Sequence, residues 1–231
     1  LARSEYYEDG QFVNGVHLPV ELGDLFTSHD TTYVLVEQPC DLMVRKNGER
    51  TPDLHDAIML EVHDTKPRQL AQGFELPYHR DAQSSWVHFS KYVQVPIRAL
   101  DLTVFNTDGS SCLDLDVATP PAGLWPAWAA RHKKLLTKFT TVKKHSDSLN
   151  TLRADNKIAK ELHTTLIERL LHVDSASGRA VKGAVDGSTV KFELQRVGRL
   201  QPSVARALLL QFSLHRARDA NEYPLAGRGG A

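Results

Sequence analysis

Over much of the first half of the chain, apolar and polar positions alternate with a period of two, the pattern of strands that bury one face. Leu22-Gly23-Asp24-Leu25-Phe26 and Thr32-Tyr33-Val34-Leu35-Val36 are two short β-prone runs. The polar Thr27-Ser28-His29-Asp30 separates them at hairpin-like spacing. Beyond Cys40, Leu42 and Val44 fall on one side and Met43 on the other, until Lys46-Asn47-Gly48-Glu49 supplies a turn. Asn-Gly favours that turn because both residues tolerate positive φ. Ala57 to His63 repeats the alternation with Ile58, Leu60 and Val62 on one face, whereas 67–85 disperses Pro, Gly, Gln and Ser and reads as loop. The clearest hairpin is expected next. Leu100, Leu102 and Val104 alternate with Asp101 and Thr103, Asp108-Gly109 turns, and Leu113, Leu115 and Val117 answer on the return.

After Thr119-Pro120-Pro121 the period lengthens to that of a helix. Trp128, His132, Leu135, Leu136, Phe139 and Val142 form an apolar stripe with Arg131, Lys133, Lys134 and Lys138 beside it, which predicts a helix over 124–142. Pro126 suits its first turn. Leu149, Leu152, Ala159, Leu162, Leu166 and Leu170 predict a second helix over 148–172, joined to the first by a polar bend at 143–148. Asp186-Gly187 between 180–185 and 189–197 predicts a hairpin, and 202–217 a closing helix with Val204, Ala205, Leu208, Leu209 and Phe212 inward. The expected fold is α+β. Residues 1–117 form an acidic, mainly antiparallel, barrel-like β region and 118–173 a basic helical hairpin. Residues 174–225 add a β-hairpin and helix on the same core, and 226–231 are a disordered tail too poor in side chains to fold.

Charge sharpens this division. The chain of 231 residues carries 28 Lys+Arg against 28 Asp+Glu. Residues 1–130 hold 9 basic and 19 acidic side chains, and 131–231 hold 19 basic and 9 acidic. Such asymmetry fits a basic surface for a polyanion, two halves that dock with complementary fields, or solvated faces that merely segregate. A shared surface would be built from Arg131, Lys133, Lys134, Lys138, Lys143, Lys144, Lys157 and Lys160. Trp125, Trp128 and Phe139 are expected to face inward. Binding there would then be directed at a phosphate backbone, without aromatic stacking.

Candidate chemistry is sparse. Cys40 lies between Pro39 and Asp41. A catalytic thiolate needs a neighbouring cation, a helix N-terminus or a histidine, and an adjacent carboxylate works against it, so Cys40 reads as apolar wall material. His29-Asp30, His55-Asp56 and His63-Asp64 suggest metal-ligand pairs, but the spacing of His55 and His63 matches no usual zinc pattern, and no metal is expected. His132, on the Trp128 stripe, reads as an amphipathic residue of the helix. The nucleotide-loop and serine-hydrolase signatures G-x-x-x-x-G-K-[ST], G-x-G-x-x-G and G-x-S-x-G do not occur, and no cofactor is expected. Cys40 and Cys112 are read as thiols in a reducing compartment. Leu1 in place of Met reads as the edge of a longer polypeptide. With no charged-then-apolar leader and no bilayer-length apolar run, a soluble, cytoplasmic protein without membrane contact is expected.

Gly23-Asp24-Leu25-Phe26 followed by Tyr33-Val34-Leu35-Val36 resembles the opening of the small SH3-like barrels of the PemK/MazF toxin family, over residues 23–45. The resemblance implies an SH3-like barrel. The Arg-Pro that introduces the family's second strand is replaced by Thr32-Tyr33, so the arginine of RNA cleavage is missing. The stretches Q-P-C-D-L-M-V-R, L-D-L-T-V-F-N-T-D-G and R-V-G-R-L resemble an uncharacterised bacterial group associated with regulatory or phage-conflict gene clusters. The expectation is a non-catalytic regulatory or interaction module with a protein partner, contacting nucleic acid or an acidic partner through its basic C-terminal half. A PemK-like endoribonuclease or a Cys40-dependent hydrolase is the alternative.

Overall fold

The computed structural model describes residues 3–50, 54–80, 83–171 and 181–222. The β-prone runs form strands where alternation predicts them, β2 (Asp24–Ser28), β3 (Thr31–Leu35) and β4 (Asp56–His63), and a short strand β1 (Tyr7–Asp9) that the pattern did not predict precedes them. β5 (Gly73–Arg80), β6 (Gln83–Pro96), β7 (Ser110–Asp114), β8 (Gly183–Asp186) and β9 (Thr189–Leu200) follow. Among the described residues these nine strands make one antiparallel sheet in the order β1-β9-β2-β3-β4-β6-β5, with β7 and β8 also paired to β9. The sheet curls into a half-barrel, and the fold is α+β. β9, near the C-terminal end, thus runs through the interior of the sheet beside strands from the first 30 residues.

Alternate residues of the central strands feed two cores. Phe26, Tyr33, Leu35, Ala57, Met59, Val93 and Val95 lie on one side. Leu25, Val34, Val36, Leu60, Val62 and Val87 lie on the other. The first core is covered by α3 (Ile97–Leu102) and α4 (Pro126–Ala154), which contribute Leu100, Trp128, Leu135 and Phe139. The second is covered by α6 (Pro202–Glu222) through Ala205, Leu208 and Phe212. Two smaller helices, α1 (Gly10–Gly15) and α2 (Pro39–Leu42), and the longer α5 (Lys160–Leu171) complete the set. β4 is buried on both faces, so its sequence is a nearly continuous apolar run rather than a strict alternation.

The cross-half charges pin β2 to β9. Asp24 is wholly buried and accepts hydrogen bonds from Arg199 Nε at 2.5 Å and Arg196 Nη1 at 3.5 Å. Arg196 Nε also donates to Asn14 Oδ1 at 2.6 Å, and Arg199 Nη1 to Glu21 at 3.0 Å. The Gly-Asp of G-D-L-F and the arginines of R-V-G-R-L are therefore partners in adjacent strands, which gives both stretches a structural role.

Three expectations are corrected. Residues 67–85 are not mainly loop: β5 and the start of β6 form a hairpin across them, with Leu76, Ser85 and Val87 buried. The 100–117 hairpin does not form. Residues 97–102 are helical, 103–105 make a 3-10 turn, and β7 pairs with β9 instead. All nine residues from 97 to 105 are buried, so the alternation of Leu100, Asp101, Leu102 and Thr103 carries no information about an exposed face. Inside, Thr103 Oγ1 donates to Leu100 O at 2.7 Å, and Asn106 Nδ2 reaches the carbonyls of Leu102, Ser110 and Cys112, closing the chain onto β7. The bend expected at 143–148 is also absent. α4 runs straight through it because that segment holds no Pro or Gly, and the Lys143–Asp147 pair at 2.5 Å supports the helix from i to i+4. The chain reverses at Asn156, whose φ of 56° is a left-handed conformation that Asn accepts. The 226–231 tail lies outside the described residues.

Candidate anion-binding cleft

A cleft of about 610 Å³ opens between the segment entering β4, the start of α3 and one side of α4. Arg50, His55 and Asp56 come from the first, Arg98 from the second, and Arg131, Lys134 and Lys138 from the third. Local contacts fix these walls. Gly48, at φ 79°, lies so close to α4 that a Cβ would stand 2.7 Å from the Ala130 and Arg131 backbone. Any other residue there would push the Glu49–Arg50 segment off the helix. Ile97 N donates to His55 O at 3.0 Å, tying α3 to the entrance of β4.

Behind the cleft stands a buried triad. Asp101 is fully enclosed and accepts hydrogen bonds from Arg50 and from Arg131, the latter through Nε at 2.9 Å and Nη2 at 2.7 Å. Burial works against its ionisation, but the two guanidiniums outweigh burial and hold the carboxyl below the usual carboxylate range. Arg50 in turn stacks over the Trp128 ring, 5.4 Å from its centroid.

Arg98 is only 7 % exposed, and its Nη1 is enclosed without a hydrogen-bond partner. Arg50 Nη1 is also enclosed without a hydrogen-bond partner, but Arg50 is held by Asp101 through its other nitrogens, and Arg98 is not. A buried guanidinium with an unused donor is costly, and such a group is normally satisfied by an acceptor. Burial lowers its pKa, with Asp56 opposing and Arg131 adding to the effect. Lys138 is likewise lowered by burial and then by Arg98 and Arg131, against which Glu49 acts. Both shifts report the same thing: positive charges crowded into a partly desolvated space. At the outer edge Lys134 pairs with Glu49, holding that carboxyl below its ordinary value.

A second cavity of about 540 Å³ lies between α4 and α5 and shares Arg98 and Lys138 with the first. Its walls are aliphatic, from Val142, Leu149, Leu166 and Leu170, and its rim carries His145, Ser148 and Arg169. Together the linings of the two cavities include six Lys and Arg side chains, beside the carboxylates of Glu49 and Asp56.

Of the eight basic residues singled out in the sequence, Arg131, Lys134 and Lys138 converge on the cleft. Positions 131, 134, 138, 142 and 145 share one side of a helix with 3.6 residues per turn, and 133 and 144 point to the opposite side. Lys143 is spent on Asp147, Lys157 pairs with Asp155 at 2.9 Å, and Lys160 is exposed at the start of α5. Sequence reasoning missed Arg50, Arg98, His145 and Arg169, and considered His55 only as half of a metal-ligand pair. Arg98 was hidden because the 97–105 segment carries no helical signature.

The remaining candidates lie elsewhere. Cys40 is exposed at the start of α2, with Sγ 3.7 Å from Gln38 Oε1 and from Asp41 Oδ1. It is not wall material; Leu42 fills the core instead, because the short helical turn rotates Cys40 outward. Trp128 and Phe139 do face inward, but Trp125 is 56 % exposed at the N-cap of α4. His132 is buried edge-on against Phe105 at 4.9 Å, and burial lowers its pKa. The three His-Asp pairs stay apart: His29 reaches Glu193 at 2.8 Å, His63 reaches Glu61 at 3.0 Å, and His55 lines the cleft. Among the described residues, no three His, Cys, Asp or Glu side chains are grouped to hold a metal ion. Among those residues, too, no helix is long and apolar enough to cross a membrane. Comparison of this chain with protein-family models, curated proteins and solved structures finds no match.

Proposed function

We propose that this protein is a non-catalytic interaction module whose cleft binds phosphate groups of nucleic acid. The observation that carries the reading is Arg98, a buried guanidinium with a donor left over, which lines both the cationic cleft and the aliphatic cavity beside it. A phosphate beside that guanidinium offsets the charge crowding that, after burial, lowers the Lys138 pKa. The cleft gathers Arg50, Arg98, Arg131, Lys134 and Lys138 beside Glu49 and Asp56, and Cys40, the alternative nucleophile, has Gln38 and Asp41 as its contacts. This favours capture over turnover.

The test is titration of a short single-stranded oligonucleotide at low and moderate salt. About three phosphate contacts give a log–log salt slope of roughly −2. Arg98→Met and Lys134→Glu/Lys138→Glu are expected to abolish binding, whereas Lys133→Glu/Lys144→Glu, on the far side of α4, leaves it intact. Failure of the wild type to bind at low salt, or equal loss in the far-side variant, overturns the reading.

A further inference from the structure

The two cavities are unlike in chemistry yet share Arg98 and Lys138. A ligand whose phosphate engages those residues can place its remaining body in the second cavity, which they also line, between α4 and α5. That slot, at about 540 Å³, falls within the roughly 300–1,000 Å³ typical of small-molecule sites. It is walled by Val142, Leu149, Leu166 and Leu170 and is open to solvent along one side. Resting on the cleft reading above, we infer that the cavities together bind a nucleoside monophosphate unit, with the phosphate on Arg98 and Lys138 and the base between the aliphatic walls.

The open side and the polar rim decide between a base and an acyl chain. An alkyl chain in an open slot leaves part of its surface in water and gains nothing from rim donors. A base buries its two faces against aliphatic side chains and keeps its polar edges toward the rim. Arg169 and His145 present donors there, and Ser148 Oγ, which already donates to Lys144 O at 3.0 Å, has lone pairs free to accept. The unit has two sources, a free nucleotide or the 5′-phosphorylated end of a strand, and both present the same chemistry.

Calorimetric titration of the full chain with inorganic phosphate, AMP and octyl phosphate tests this, together with one oligonucleotide in 5′-phosphorylated and unphosphorylated forms. AMP is expected to bind at least about tenfold more tightly than phosphate. Leu166→Trp, which fills the slot, is expected to erase that advantage while phosphate affinity stays. In wild-type protein with labelled leucine methyls, AMP but not phosphate is expected to shift Leu149, Leu166 and Leu170, a readout independent of how the variant folds. A strand that gains affinity from its 5′-phosphate upholds the proposal with a strand end as source; a strand indifferent to it, beside tight AMP, upholds it with the free nucleotide. Equal affinities for AMP and phosphate overturn the nucleoside inference and leave the cleft reading standing. Octyl phosphate binding more tightly than AMP overturns the base assignment. No binding of either phosphate or AMP overturns both.

Discussion

Replacing Asp101 by Asn removes one charge from a triad in which both arginines depend on it. The Arg50 side chain is 3 % exposed and Arg131 12 % exposed, so neither can hydrate fully once the carboxylate is gone. Breaking a buried ion pair by deleting one partner costs about 3–5 kcal/mol. Asn keeps one oxygen as an acceptor but turns an amide donor toward a guanidinium, which places Asp101→Asn at about 3–4 kcal/mol. Against a typical total of about 5–15 kcal/mol that is a large fraction, and at about 2–4 °C per kcal/mol for a chain of this length Tm falls by about 6–16 °C. Urea denaturation followed by far-UV circular dichroism measures it. The pH dependence has a definite sign. Because the folded-state pKa of Asp101 is depressed, its stabilisation is complete above the unfolded value of about 3.9 and is lost as pH falls through the folded value. The gap between wild type and Asp101→Asn is therefore widest near neutrality and narrows in acid. Arg50→Met/Asp101→Leu/Arg131→Met, which removes every charge of the triad, is expected to recover much of the loss. A single Asn variant within about 1 kcal/mol of wild type at neutral pH would show that Asp101 does not hold the two arginines.

Deleting residues 183–231 removes β9 from between β1 and β2 and takes away its pairing with β7, so the remainder should aggregate or lose its cooperative melt; a soluble fragment with an unchanged melting curve contradicts the sheet order. Cys40→Ala is expected to change stability by no more than about 0.5 kcal/mol, and native Cys40 to react with a thiol reagent more readily than the half-buried Cys112; protection of Cys40 would place it inside the core. Phosphate or oligonucleotide binding should weaken as pH rises through the Lys138 pKa, which lies below the ordinary 10.5, and Lys138→Arg should shift that loss to higher pH; an affinity flat up to pH 10.5 would separate Lys138 from the site.

The chain's own pattern determined a good deal. Val34, Leu35 and their neighbours in β2, β3, β4 and β9 announced strands because β-prone runs bounded by polar turns leave few other solutions, and the 3.6-residue stripe from Trp128 to Val142 announced α4. Turn chemistry at Asp108-Gly109 and Asp186-Gly187 was legible because positive φ falls to a few residue types, and both glycines adopt it. Even part of the site was present in advance, since Arg131, Lys134 and Lys138 repeat at helical spacing. Tertiary structure decided what local pattern cannot carry. Residues 97–105 are enclosed on every side, so the period-two alternation they carry marks no exposed face, and Asp101 could be taken for a solvent-facing strand residue until Arg50, 51 positions earlier, and Arg131, 30 positions later, were brought against it. Asp24, Arg196 and Arg199 became a pin only when β9 entered the sheet beside β2. Arg98 stands apart from the basic run of α4 in sequence, and only folding strips its water, sets it beside Lys138 and leaves one of its donors unmet.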